Sequence, residues 1–217
     1  DTNILHDIYV RIADSWFALG DYDSASKMYQ ESLMIQGFQS DYAAYQKSIS
    51  YVLLENYSAA INSFNYLIQT YPKSNYLDDA FFELGNVYIL TGNFNFAINS
   101  FMHIIDNFSN SLFFAPCKLK LGLVYYMKQE DEKAISVLQS VLDLFPSSNF
   151  FEEALNSVLE LNYTNYHIII SDNSSNDNIE KLLINKYSSF KSRFKYIKRS
   201  QNFKLFEHIK HIFYESQ

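Results

Sequence analysis

The sequence predicts a mainly α-helical protein, with a helix-turn-helix solenoid over residues 1–147 and a small α/β segment over residues 148–217. Two observations support this division. One sequence pattern recurs four times in the first part, with spacings of 35, 37 and 37 residues. Beyond it, the three isoleucines at 168–170 follow Tyr166 and precede a polar turn, which is typical of a short strand. The helical repeat therefore ends before Tyr166.

The recurring pattern reads ALGDYDSASKMY at 18–29, LLENYSAAINSF at 53–64, LTGNFNFAINSF at 90–101 and MKQEDEKAISVL at 127–138. Each unit has an alanine in its second predicted helix and a small residue 12 positions earlier in its first. Small residues let two helices approach closely, so both positions are predicted helix crossings. A two-helix repeat of this length indicates a solenoid. The crossing positions are Ala25, Ala60, Ala97 and Ala134 in the second helices and Ala13, Ser48, Gly85 and Gly122 in the first.

Composition and charge narrow the possible functions. The chain is 48% hydrophobic, which is enough for a core, and its single cysteine, Cys117, excludes an internal disulfide framework. No apolar stretch is long enough for a transmembrane helix. Residues 1–160 carry 19 acidic against 8 basic residues, whereas residues 161–217 carry 5 against 9. The acidic part therefore disfavours a nucleic-acid partner. Because the chain begins at Asp1 without a methionine, we expect it to be a piece of a longer protein.

Over about residues 5–146, units such as YPKSNYLDDAFFELGNVY and ELGNVYILTGNFNFAINSF resemble tetratricopeptide repeats, in particular those of bacterial cell-envelope assembly proteins. Glu55 and Gln129 depart from the pattern, because they stand where a turn glycine is expected. The resemblance implies a protein–protein interaction scaffold whose concave face holds a peptide. It also implies that Asn86 holds the peptide backbone, unless Asn86 is only a solvated polar residue. The acidic surface favours a basic or apolar partner segment.

The segment that follows begins as a fifth unit and then changes to a strand-helix-strand-helix pattern, which indicates a parallel α/β arrangement. Its ALNSVL, YTNYHIII, DNSSND and RFKYI stretches resemble, in order, the nucleotide-binding half of family 2 (GT-A) glycosyltransferases. The resemblance implies that Asp172 contacts the base of a nucleotide-sugar donor, while Ser174 and Asp177 shape the loop. Asp177 alternatively only caps the next helix.

The same resemblance implies that this α/β segment is truncated. The first strand of the family is replaced by a repeat helix, and the chain ends at Gln217 before the family's Asp-x-Asp metal ligands and catalytic base. We therefore expect no catalytic residue, no metal site and no cofactor in this stretch; Mn²⁺ or Mg²⁺ would bind only if the missing region exists. The alternative is a fragment of a repeat-fused family 2 transferase, whose full-length form would be an enzyme.

Two origins explain the junction of the two parts. Either a natural scaffold–transferase fusion ends early, or two genes are artificially joined at a shared SNFFEEALNSVL-like sequence. The missing first strand favours the second origin. The location follows from the origin. We expect a cytoplasmic protein if the transferase-like part is native, and a periplasmic or envelope-associated one if only the repeat part is native.

Overall fold

The computed structural model describes residues 2–35, 37, 40–144, 153, 156–157, 168–172 and 194–198. For residues 142–144 and both strands it describes only the backbone. The chain forms two compact units, residues 1–117 and 118–217.

Eight α-helices account for most of the described residues, and consecutive helices form antiparallel pairs joined by short turns. Their order confirms the predicted mainly helical solenoid. None of the described helices combines the length and hydrophobicity that a membrane crossing requires. The helices are α1 (Thr2–Ala18), α2 (Tyr22–Ile35), α3 (Ser40–Leu53), α4 (Tyr57–Thr70), α5 (Leu77–Leu90), α6 (Phe94–Asn107), α7 (Phe114–Met127) and α8 (Asp131–Leu144).

The core lies at the predicted helix crossings. The four alanines of the second helices have no exposed surface, so their assignment as crossings is confirmed. Four residues after each alanine, one helical turn further along, a large side chain is fully or almost fully buried. In two units the structure shows this side chain against the glycine of the first helix: an added Cβ atom on Gly85 would lie 2.5 Å from Cε1 of Phe101, and one on Gly122 would lie 2.6 Å from Cγ of Leu138. The large side chains are Tyr29, Phe64, Phe101 and Leu138.

All four turns inside the helix pairs share one geometry, although only two contain glycine. In each turn one residue has a positive φ. The N–H group of the residue after it donates a hydrogen bond to a backbone carbonyl in the last turn of the preceding helix. This is the Schellman arrangement, which favours glycine because left-handed backbone strains other residues. Glu55 and Gln129 nevertheless adopt the same turn in place of glycine. The φ angles are 80° at Gly20, 57° at Glu55, 71° at Gly92 and 61° at Gln129.

Beyond α8, the described backbone contains two parallel strands, β1 (Ile168–Asp172) and β2 (Phe194–Lys198). Ile168 pairs with Phe194 and Asp172 with Lys198, and β1 contacts α8. The described strand contains the three isoleucines at 168–170 and extends to Asp172, which the sequence pattern places in the polar turn. The helices predicted after each strand lie outside the described residues.

Candidate functional site

The first helices of the repeat share a mostly polar face within residues 1–117. The small crossing residues of these helices are Ala13, Ser48 and Gly85. The residues six and two positions before each of them, and the residue directly after it, lie on the same side of an α-helix. In α1, α3 and α5 every side chain at these positions is exposed or half-buried. We call this surface the first-helix face. Its residues are Asp7, Arg11 and Asp14 of α1, Tyr42, Gln46 and Ile49 of α3, and Asp79, Glu83 and Asn86 of α5.

A cavity of about 440 Å³ opens on this face between α1, α3 and the start of α5. Asp14 lines this cavity, and its Oδ1 accepts hydrogen bonds from the hydroxyls of Tyr29 at 2.6 Å and Tyr42 at 2.9 Å. Arg11 donates to Asp7 at 2.7 Å. Three carboxylates and one guanidinium thus line the cavity. Its lining residues are Asp7, Val10, Arg11, Asp14, Asp41, Tyr42, Asn75 and Tyr76.

Neighbouring repeats are joined by two kinds of contact that recur with the repeat. The Ser74 hydroxyl donates to Asp41 at 2.7 Å, and Ser111 donates to Asp78 at 2.7 Å, 37 residues further along. Beside each bond, two aromatic rings stack with centroids 5.2 Å and 4.6 Å apart. These contacts were not predicted from the sequence, although the residues that form them recur 37 positions apart. The stacked pairs are Tyr45 with Tyr76 and Phe82 with Phe113.

The carboxylates of α3 and α5 act on Tyr45 and Tyr76, whose rings stack on each other. Burial raises the pKa of the Tyr45 hydroxyl, and the negative charges of Asp79 and Glu83 raise it further. Burial likewise raises the pKa of Tyr76, with a contribution from Asp41 and Asp79. The pKa of Asp79 itself is raised, first by burial and then by the charge of Asp78. Burial is the main cause of each shift, and the neighbouring carboxylates add to it in the same direction.

Asn86 lies on the first-helix face at the position that Asp14 occupies in α1. It is half-buried, and its Nδ2 donates to Oε2 of Glu83 at 3.4 Å. One acceptor and part of its donor capacity remain for a ligand. The peptide contact of Asn86 stays a prediction.

The predicted nucleotide residues lie in the second unit. Asp172 is the last residue of β1, at the carboxyl end of the parallel pair, where α/β sheets bind nucleotides. Ser174 lies outside the described residues. Among the residues that the structure describes, no group of three or more His, Cys, Asp or Glu side chains has the arrangement of a metal site.

The antiparallel helix pairs, their Schellman turns and the first-helix face define a helical-repeat scaffold. Comparison with protein families names the repeat: residues 42–74 and 117–148 match one tetratricopeptide repeat family and residues 6–37 match a second. Residues 144–217 match glycosyl transferase family 2. The chain thus carries tetratricopeptide repeats followed by a partial match to a family 2 glycosyltransferase, as the two resemblances predicted. Among curated proteins, none matches this chain.

Solved structures agree with the repeat fold. A MamA crystal structure is 24% identical, with a TM-score of 0.60 over 70% of this chain and 78% of that one. Residues 41 to the end of MamA from Desulfovibrio magneticus give 19% identity and a TM-score of 0.57, over 72% and 94%. YrrB, described as a TPR protein with an unusual peptide-binding site, gives 18% and 0.54, over 70% and 75%. At these identities the similarity shows the fold alone.

Proposed function

We propose that residues 1–147 are a protein-binding scaffold that holds a basic segment of a partner protein on the first-helix face. The observation that carries the proposal is the cavity at Asp14, where three carboxylates and two tyrosines face one arginine. That arginine is already paired with Asp7. A lysine or arginine side chain of the partner would therefore meet uncompensated negative charge.

The cavity offers a cation more than charge. Asp14 accepts two tyrosine hydrogen bonds at one oxygen, so its other oxygen remains available as an acceptor. The rings of Tyr42 and Tyr76 lie beside it, and an aromatic face attracts a cation within about 6 Å. Further along the face, Glu83 and Asn86 offer an acceptor and a donor to the partner backbone. YrrB, which shares the fold, is described as having a peptide-binding site, and this supports a peptide as the ligand class.

The test is binding to an array of short peptides in which Lys and Arg content varies, followed by titration of the best peptide. Asp14→Asn keeps both tyrosine hydrogen bonds but removes the charge, so we expect affinity to fall about tenfold or more. The matched control is Asp106→Asn on α6, which is exposed and lies away from this face. Affinity should also decrease with salt.

Two results would count against this proposal. Preference for acidic or neutral peptides would exclude a basic partner, and equal affinity of Asp14→Asn and wild type would exclude the cavity. Asn86 has its own test, since Asn86→Ala should weaken peptide recovery in a pull-down. Equal recovery would remove Asn86 from the site without affecting the role of Asp14.

We also propose that residues 148–217 are a catalytically incomplete, GT-A-like α/β segment with at most weak affinity for a nucleotide-sugar. The family match begins at residue 144 and overlaps the last repeat match, which ends at residue 148, and this supports a junction at 147/148. Asp172 ends β1 beside Lys198 in the register of a parallel pair.

Calorimetric titration with UDP and Mn²⁺ tests this second proposal. We expect millimolar or no binding, because residues 144–217, which match the family, contain no Asp-x-Asp pair to hold its metal. Asp172→Ala should abolish any weak binding that is found. Micromolar, metal-dependent binding that is lost in Asp172→Ala would instead show a functional nucleotide site.

A further inference from the structure

A second cavity, of about 450 Å³, lies between α2, α3 and α4 and shares no residue with the cavity at Asp14. Leu33 and Met34 of α2 and the rings of Tyr51 and Tyr66 form its apolar walls. Its volume is within the roughly 300–1,000 Å³ typical of small-molecule sites. The cavity contains a single charged side chain, Lys47 of α3.

Lys47 occupies a position that the other repeats fill with an apolar residue. It stands immediately before the crossing residue Ser48, where the remaining units have Ile12, Leu84 and Leu121. Leu84 and Leu121 are only 3% and 2% exposed, whereas Ile12 of the first helix is 40% exposed, so this position is buried in the two later units. An ammonium group there loses hydration that leucine would not need, and the repeat fold does not require it.

The partners of Lys47 in the cavity are neutral. Its Nζ donates to Oε1 of Gln30 at 2.6 Å and lies 5.9 Å from the centre of the Tyr66 ring. None of the residues that line the cavity carries a carboxylate. Burial lowers the pKa of the Lys47 ammonium below its ordinary value. A ligand that brings a negative charge into the cavity would compensate this desolvation.

We propose that this cavity binds an aromatic carboxylate, with its carboxylate paired to Lys47 and its ring held between the tyrosines. The ammonium keeps donors free after its bond to Gln30, and a charged acceptor makes the stronger hydrogen bond. The side-chain amide of Asn62 lies in the same lining and supplies a second donor. Tyr51, Tyr66 and Met34 contact the ring. The lining residues differ from those of the cavity at Asp14, and the assignment of this ligand does not rest on a peptide partner.

The experiment is a titration of the isotope-labelled full chain, followed by nuclear magnetic resonance. The probes are 3-phenylpropionate, as a free acid, and N-acetylphenylalanine, which presents its carboxylate as a peptide C-terminus does. Their amides, which keep the ring and lose the charge, are the matched ligand controls. We expect both acids to shift resonances of α2, α3 and α4 and to raise the pKa of Lys47. The acid that binds more tightly indicates whether the carboxylate comes from a free acid or from a peptide C-terminus. The amides should leave these resonances unchanged.

Lys47→Met tests the residue itself. Methionine restores the apolar side chain of the other repeats, so the variant should fold and melt at the same temperature or higher, while affinity for the acids falls at least about tenfold. Lys27→Met, on the exposed side of α2, is the matched control and should bind as wild type does. Lys47→Gln, which keeps a polar group, provides a second variant if Lys47→Met unfolds.

The proposal is overturned if neither acid binds the wild-type chain more tightly than about 10 mM. It is equally overturned if the acids and their amides bind alike, or if a folded Lys47 variant keeps wild-type affinity. In those cases Lys47 only links α2 to α3 through Gln30. Loss of peptide binding at Asp14 would have no bearing on this result.

Discussion

Replacing Gly85 with alanine should destabilise the protein, although alanine is the better helix former. The added Cβ would lie 2.5 Å from Cε1 and 2.7 Å from Cζ of Phe101, well inside van der Waals contact. Phe101 has no exposed surface, so its ring has no solvent-filled space to enter. The two helices α5 and α6 must therefore separate or the ring must leave its preferred rotamer.

The size of the effect follows from two opposing contributions. Alanine in place of glycine stabilises a helix interior by about 1 kcal/mol. Overpacking a core costs about 1–3 kcal/mol, and a contact as short as this one lies at the upper end. We expect a net loss of about 1–2 kcal/mol in the free energy of unfolding, measured by urea denaturation and far-ultraviolet circular dichroism. Gly122→Ala, whose Cβ would lie 2.6 Å from Cγ of Leu138, should change stability in the same direction.

A double-mutant cycle makes the test specific. Phe101→Leu removes the two ring atoms nearest the added Cβ, so Gly85→Ala should cost less in that background, by about 0.5 kcal/mol or more. Asn99→Ala, at an exposed position of α6, controls for a general effect of alanine. If Gly85→Ala stabilised the wild-type protein, or if its cost were the same in both backgrounds, the steric explanation would be wrong.

Three further predictions use the same packing and backbone observations. Ala97→Leu should cost about 1–3 kcal/mol because Ala97 is fully buried at a crossing, and an unchanged urea midpoint would contradict this. Because φ is 57° at Glu55 and 71° at Gly92, Glu55→Gly should stabilise the protein by about 0.5–1 kcal/mol and Gly92→Ala should destabilise it by about 1 kcal/mol. Effects of the opposite sign in the same denaturation assay would contradict the backbone-strain explanation. Burial, with a contribution from Asp78, raises the pKa of the Cys117 thiol to about 12. At about pH 8 the thiol should therefore react with a thiol reagent only after the protein unfolds. Rapid labelling of the native protein would contradict this prediction.

The sequence alone determined the repeat, because its signals are local. A small residue every 35–37 positions and an aromatic or leucine four residues after each alanine specify which side of a helix is buried. For the same reason the burial of Ala25, Ala60, Ala97 and Ala134 was predicted correctly. The turns were less clear from sequence, because Glu55 and Gln129 adopt a left-handed backbone that favours glycine. Helix pairing holds these residues in the turn despite the strain.

Only the tertiary structure decided which residues of different repeats meet. Distant residues meet at three places: the Asp14 cavity, the hydrogen bond from Ser74 to Asp41, and the contact of Lys47 with Gln30. The last two join residues 33 and 17 positions apart. Such contacts depend on how one helix pair is rotated against the next, and a local periodicity does not contain that angle. The same holds for Asp172, whose place beside Lys198 required the pairing of two strands that are distant in sequence. Helical periodicity fixes the buried face of each element, whereas the packing angle between elements selects the side chains that form a site.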